Sequence, residues 1–224
     1  MTGQHRVPPG RAGRLRLRRS LDTALRGADL LERKLHILLA REQELRRAEE
    51  EADRAWRQYL REAETWLLRG LLLGGEQALA SAVVADRAQA TVEWTASMGV
   101  RHPSGVSWTP AARSPAEPTP GNTALVVAEG AYREAVRAAA EFAAARTAAR
   151  LLAEETHRTR LRVRVLRRHW IPQMHRELAA ADLALEQAEH EDSVRRHWAA
   201  GLHARRGAVS AKPAGGTKSG EEAP

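Results

Sequence analysis

The sequence predicts an all-α protein: a long antiparallel two-helix coiled coil, with a small insert between the helices that contains a short β-hairpin. Three observations lead to this fold class. Apolar residues recur with a period of about 3.5 residues along two long stretches, the pattern of a coiled-coil seam. Residues 12–69 contain no proline. Aromatic residues make up only 4% of the chain and charged residues 29%, which disfavours a thick globular core.

The first helix is predicted over residues 12–69, after a flexible lead-in at residues 1–11 that contains prolines and a glycine. Its seam steps alternately by four and three residues from residue 17 to residue 66. Only Glu42 and Glu49 interrupt the apolar series. A register this long indicates a left-handed coiled coil rather than an amphipathic helix on a globule.

An insert is predicted over residues 70–122, with a short helix, a β-hairpin and a proline-rich loop. Residues 91–95 alternate with a period of two, and further β-like residues follow up to residue 108, which indicates the hairpin. The prolines of residues 109–122 indicate the loop. The first helix is expected to end at three glycines, Gly70, Gly74 and Gly75.

The second helix is predicted over residues 123–203, with Asn122-Thr123 able to cap its N-terminus. Its seam is rich in alanine, which lets two helices approach closely. The seam is interrupted at Pro172 and resumes one step displaced, as after an inserted half-heptad, so we expect a kink near Arg168. Residues 204–224 are rich in glycine, alanine, lysine, serine and proline, and we expect a disordered tail there.

The composition also excludes several kinds of site. The chain has no cysteine, which excludes disulfides, thiolate nucleophiles and cysteine-based zinc sites. The glycine-rich residues 74–77 lack the lysine and the preceding strand of a P-loop. The histidines of the second helix form no i,i+4 pair, and no apolar run approaches the ~20 residues of a membrane span. We therefore predict no catalytic, cofactor-binding or metal-binding residue.

Two arginine-rich stretches are the strongest candidates for a partner-binding surface. The net charge is +8, and nearly all the basic residues are arginines. One stretch precedes Asp22, and the other lies between Glu155 and Glu177. Neither stretch contains an aspartate or a glutamate. Such an excess of like charge favours an acidic partner, although a solvated helix face is the simpler alternative. The candidates are Arg11, Arg14, Arg18, Arg160, Arg162 and Arg164.

Four blocks in series make the chain resemble the D subunit of the V-type and A-type rotary ATPases. The blocks at residues 9–21 and 27–34 are similar to the family's N-terminal motifs. The block at residues 98–103 begins Met-Gly-Val and is similar to the family's MGV+.P hairpin segment. Residues 159–166 and the following Ile171-Pro172 are similar to TRRRVNALE…IP.

The chain also departs from the family's pattern. Arg164 and Arg167 stand where the family has asparagine and glutamate, and Ser193-Val194 stands where a pair of phenylalanines is common. Neither the proline-rich loop nor the residues after 204 match the family. These departures leave the predicted architecture unchanged but affect individual contacts.

The resemblance implies a non-catalytic rotor subunit, the axle of the central stalk, which couples ATP synthesis or hydrolysis to proton or sodium transport. It implies four partners: the catalytic and non-catalytic ring subunits (A and B types), the small F-like subunit of the stalk and a funnel-like subunit on the membrane ring. It adds Met98, Gly99 and Val100 as candidate interface residues. It implies a cytoplasmic location at the inner face of the cell membrane, without membrane insertion, nucleic acid or a cofactor.

Two other classes of function are compatible with the arginine content and the seams. A basic coiled coil could bind nucleic acid through phosphate contacts, with a steep dependence on salt. A scaffold coiled coil would self-associate through the same seams. Neither alternative accounts for the β-like insert between two long helices or for the ordered blocks.

Overall fold

The computed structural model describes residues 10–80 and 83–210, with side chains up to residue 203. Two long helical stretches pack together and a small antiparallel hairpin lies between them in the chain, which confirms the predicted fold class. The expectations for residues 1–9 and 211–224 lie outside the described residues. The elements in chain order are α1 (Arg11–Ala80), β1 (Gln89–Ser97), β2 (Val100–Thr109), α2 (Thr123–Val165), a π-helical turn (Leu166–Trp170) and α3 (Ile171–Ser210).

The first helix continues through Gly70 and Gly74 and is broken at Gly75, where the sequence also places one of its three terminating glycines. Gly75 has a non-helical φ of 65° and ψ of −176°, and a short helical segment follows it to Ala80. Gly70 and Gly74 lie where neighbouring side chains leave no room for a Cβ. A Cβ on Gly70 would lie 2.5 Å from Leu125, and one on Gly74 would lie 2.7 Å from Asn122. The helical segment between Gly75 and Ala80 lies where the sequence predicts the short helix of the insert.

The described residues form two compact units, one of residues 26–167 and one that includes residues 10–25 and 168–210. In the first unit, the seam of α1 is buried or half-buried at every position, including Glu42 and Glu49. The carboxylate of Glu42 accepts a hydrogen bond from Arg46 at 2.6 Å. The buried core residues of α2 in this unit are Ala124, Leu125, Ala128, Ala135, Ala138, Ala144, Ala148, Ala149 and Leu152.

Contacts between α1 and α2 show that the helices of this unit are antiparallel. Trp56 stacks on Phe142 with ring centroids 5.4 Å apart. Nearer the start of α1, Lys34 forms an ion pair with Glu155 at 3.1 Å. Because alanine occupies so many seam positions of α2, the interface between the helices is narrow and has few side-chain torsions to order.

The other unit, of which residues 10–25 and 168–210 are described, is also built from antiparallel helical segments. Leu17 and Leu21 of α1 and Ile171 of α3 are buried. Ion pairs run along its surface, between Arg11 and Glu189 at 2.6 Å and between Arg14 and Asp182.

A π-helical turn occupies the place where the sequence predicts a kink. It spans Leu166–Trp170 and precedes Pro172, which has no N–H to donate to the preceding turn. A π turn closes hydrogen bonds from i to i+5, so it takes up about one residue more than an α turn. This extra residue explains why the seam resumes one step displaced, at the half-buried Met174 and Leu178. The helix then continues beyond residue 203 to Ser210.

The β-hairpin is confirmed, with β1 and β2 antiparallel and a β-bulge between Glu93 and Trp94. Its tip is a two-residue turn in which Met98 and Gly99 both have positive φ, 52° and 84°. These values fit the type I′ turns that two-residue hairpins prefer. Glycine adopts this region freely, but methionine adopts it rarely, so the tip is held by the pairing of the strands.

The proline-rich loop is tied down by side chains from its surroundings. Asp86 accepts a hydrogen bond from the backbone of Ala112 at 3.1 Å. Glu117 accepts from the backbone of Ala85 at 2.9 Å. Arg113 forms an ion pair with Glu129 of α2 at 2.9 Å. The loop is therefore irregular but attached to the start of α2.

Asn122 joins the start of α2 to α1. Its Oδ1 accepts a hydrogen bond from the backbone of Leu125 at 2.9 Å, and its amide donates to the carbonyl of Gly70 at 3.0 Å. Asn122→Ala should lower the free energy of unfolding by about 1–2 kcal/mol, because both bonds are lost. Asn122→Asp keeps the oxygen that accepts from Leu125 and should therefore lose less free energy of unfolding. Urea unfolding measures both losses. Equal losses in the two variants would contradict the role of the cap.

Candidate functional site

The N-terminal arginines differ in their surroundings. Arg11 and Arg14 have acidic partners on α3, Glu189 and Asp182. Arg18 is exposed and makes no ion pair among the described residues. The excess of positive charge that the sequence indicates is thus partly neutralised within the chain. Sequence spacing could not show this, because the acids lie more than 160 residues away.

The second arginine stretch is also divided by the structure. Arg167 forms hydrogen-bonded ion pairs with Glu32, at 2.8 Å, and with Asp29 of α1. The hydrogen bond from Arg167 lowers the pKa of Glu32. Arg167 therefore helps to hold α2 on α1 in the 26–167 unit and is not available to a partner.

Arg160, Arg162 and Arg164 remain as a cluster at the C-terminal end of α2. All three are exposed on the helix, and none forms an ion pair among the residues that the structure describes, although the charge of Arg162 contributes to lowering the pKa of Glu155. Two apolar side chains lie between and beside them, Leu161 and Val165, and both are exposed. The mixture of guanidinium groups and apolar surface is suited to a protein partner, because arginine is enriched in protein interfaces. We call these five residues the α2 end surface.

Off-seam apolar residues could have indicated this surface in the sequence. Leu161 and Val165 stand outside the heptad seam of α2, as Leu30 and Ile37 stand outside that of α1, and all four are exposed. Apolar residues outside a seam are not needed to hold the two helices together. The count of arginines along the chain does not reveal these apolar residues.

The tip of the hairpin carries the remaining candidates. Met98 is 43% exposed and Gly99 is exposed, whereas Val100 is half-buried. No hydrogen bond or ion pair in the described part of the chain joins the tip to the arginines of the α2 end surface. The structure thus places the candidates on separate elements.

An ion pair of the 26–167 unit also predicts how the stability of the chain depends on pH. The hydrogen bond from Lys34 lowers the pKa of Glu155, and a weaker hydrogen bond from Thr159 acts in the same direction. A carboxylate with a lowered folded-state pKa stabilises the fold above its unfolded pKa of about 4.3, and this stabilisation is lost as the pH falls through the folded value.

Glu155→Gln should therefore flatten the decline of unfolding free energy with falling pH below about 4.3. The measurement is urea unfolding at a series of pH values from neutral to acidic. Glu62→Gln is the control, since Glu62 is exposed and forms no ion pair among the described residues. If both variants kept the slope of the parent chain, the Lys34–Glu155 pair would contribute nothing to the acid response.

The described residues contain no group of histidine, aspartate and glutamate side chains arranged to hold a metal ion. No helix within residues 10–80 or 83–210 has the length and apolarity to cross a membrane.

Comparison with known proteins identifies the family. The family model that describes the D subunit of ATP synthase matches residues 14–201, which include most of α1, the hairpin, α2 and most of α3. No curated protein matches the sequence. The family model covers far more than half of the chain, and its members are stalk subunits of rotary ATPases. The chain belongs to the family of ATP synthase D subunits.

Proposed function

We propose that the chain is the rotor axle of a V/A-type rotary ATPase, the central-stalk subunit that couples ATP synthesis or hydrolysis to proton or sodium transport. The observation that carries the proposal is the alanine-lined antiparallel pairing of α1 and α2 in the 26–167 unit. A pair of helices that pack this closely is narrow enough to turn inside a ring and resists unwinding, because few side chains at its interface can rearrange.

The proposed partners are the A-type and B-type ring subunits, the small F-like subunit of the stalk and the funnel-like subunit on the membrane ring. In this proposal the α2 end surface and Arg18 contact the ring, and the hairpin tip contacts one of the other stalk subunits. The chain itself performs no catalysis and carries no cofactor. Its location is cytoplasmic, at the inner face of the cell membrane as part of the complex.

Coexpression with the ring subunits tests the proposal. The tagged chain should copurify with A-type and B-type subunits from the same organism, with one copy per hexameric ring and with altered ATP turnover. The stoichiometry is measured by native mass spectrometry, and turnover by phosphate release. Recovery of the chain alone, while the ring assembles without it, would reject the axle role.

The α2 end surface gives a sharper prediction. Reversing its charge with Arg160→Glu, Arg162→Glu and Arg164→Glu should weaken copurification with the ring at least tenfold, since several close like-charge contacts cost on the order of 1–2 kcal/mol or more. The far-ultraviolet circular dichroism, which reports helix content, should stay unchanged, because these side chains form no ion pair with other described residues.

A matched control reverses three exposed arginines of α1 instead, with Arg47→Glu, Arg54→Glu and Arg61→Glu. The change in net charge is the same in both triple variants, so a general electrostatic effect would weaken both equally. Equal weakening, or full assembly and coupling of the first variant, would remove the α2 end surface from the proposed interface.

A further inference from the structure

The outer edge of the hairpin, along β1, is open to another strand. β1 and β2 form a two-stranded sheet, and no third strand within the described residues pairs with β1. Residues 89–96 are all exposed, and Ser97 is half-buried. On the other side of the hairpin β2 packs against α2 and buries His102 and Pro103. β2 is thus partly covered by α2, whereas β1 is exposed along residues 89–96.

The turn at the tip determines which backbone groups face the open edge. In a two-residue hairpin the residues that flank the turn, here Ser97 and Val100, exchange hydrogen bonds with each other. Backbone groups alternate in direction along an antiparallel strand, so every second residue from Ala96 points its N–H and C=O away from β2. These residues are Ala96, Trp94, Val92 and Ala90.

The β-bulge does not disturb this alternation. Glu93 pairs with Gly105 and Trp94 pairs with Pro103, so the extra residue lies in β2. β1 itself is regular over its nine residues. It therefore presents an unbroken row of donors and acceptors that no other described segment of the backbone pairs with.

The edge lacks the usual protection against pairing. Proteins commonly protect open edges with proline, lysine, an edge bulge or a very short strand. β1 has no proline and no basic residue, and its single charge is Glu93. Val92 and Trp94 are exposed apolar residues on the same face of the sheet. A long and unprotected edge of this kind is the feature that strand-docking partners use.

The position of Glu93 indicates the kind of partner. Glu93 is the central residue of β1, so antiparallel pairing of two copies about the middle of the strand would place two Glu93 side chains opposite each other. Like charges directly opposite each other destabilise a strand pair, whereas opposite charges stabilise it. Glu93 forms no ion pair among the described residues. A basic side chain opposite it on a docked strand would therefore give Glu93 an ion-pair partner.

We propose that the open edge of β1 docks an extended strand of another protein, with arginine or lysine opposite Glu93 and apolar side chains beside Val92 and Trp94. Main-chain hydrogen bonds to the outward-facing residues supply affinity. The charge at Glu93 supplies register and selects the partner. This inference does not depend on the rotor role, because it rests only on the hairpin.

The test uses the full chain and two blocked nonapeptides of alternating valine and threonine, one with a central lysine and one with a central glutamate. The lysine peptide should bind on the order of fivefold more tightly than the glutamate peptide. Hydrogen exchange should slow at the amides of Ala90, Val92, Trp94 and Ala96 when the lysine peptide is bound. Amides that already bond to β2, such as those of Thr91 and Thr95, should not change.

Two variants and one control complete the test. Glu93→Lys should reverse the preference between the peptides. Trp94→Pro removes an outward-facing N–H without removing a hydrogen bond to β2. It should weaken the binding of the lysine peptide about tenfold. Ala88→Pro is the control, because Ala88 lies outside β1. This variant should bind the lysine peptide as tightly as the parent chain does.

Three results would overturn the proposal. The first is an unchanged preference in Glu93→Lys, which would remove the role of the charge. The second is slowed exchange that does not alternate along β1, which would show a contact other than strand pairing. The third is self-association of the parent chain that Trp94→Pro abolishes, because the occupant would then be a second copy.

Discussion

Leu152→Ala should lower the free energy of unfolding by about 2–5 kcal/mol, the usual cost of truncating a fully buried leucine. Leu152 is 0% exposed and lies among the alanines of the α2 seam. Alanine side chains are too short to fill the space that the variant opens, so the cavity should persist and the cost should lie in the upper part of this range. The measurement is urea unfolding followed by circular dichroism.

Leu161→Ala is the matched control, because Leu161 lies on the same helix but is 43% exposed. It should change the free energy of unfolding by less than about 0.5 kcal/mol. Similar losses in the two variants would show that position in the seam does not decide stability. A change in the slope of the urea transition would show instead that the two units unfold separately.

Gly70→Ala should destabilise the chain by about 1–3 kcal/mol, although alanine is the better helix former. A Cβ at Gly70 would lie 2.5 Å from Cδ2 and 2.7 Å from Cγ of Leu125, and 3.2 Å from its backbone nitrogen. Leu125 is buried at 2% exposure, so it cannot move aside without opening a cavity. The close approach also holds Asn122 within reach of the Gly70 carbonyl.

Gly130→Ala provides a control of opposite sign. Gly130 lies within α2, and a Cβ there would meet no atom within 4 Å. The substitution should stabilise the chain by about 0.5–1 kcal/mol, because it removes the entropic cost of a glycine in a helix. Thermal unfolding of the two variants should therefore shift in opposite directions. Stabilisation by both would show that Leu125 repacks without cost.

The two helices and the hairpin could be read from the sequence because each depends on local periodicity. Every seam position of α1 that the heptads select is buried or half-buried. Their apolar spacing specifies one face of a helix regardless of which partner covers it. The shift of the seam after Pro172 likewise required an extra residue, and the π turn at Leu166–Trp170 supplies it.

The sequence alone could not say at which of the three glycines the first helix breaks, because glycine has two uses that look alike in sequence. Gly75 leaves the helix, as a glycine often does. Gly70 stays in the helix, because the absence of its side chain makes room for Leu125. The two cases differ only in how α1 and α2 are aligned against each other, and a local sequence pattern does not give that alignment.

The candidate site shows the same division. The sequence by itself determined that arginine is concentrated in two stretches, since charge is counted along the chain. Only the tertiary structure decided which arginines are engaged: Arg11, Arg14 and Arg167 meet acids from distant segments, while Arg160 and Arg164 do not. Ion pairs depend on distances of a few ångströms between side chains, and those distances exist only once antiparallel helices have aligned residues far apart in sequence.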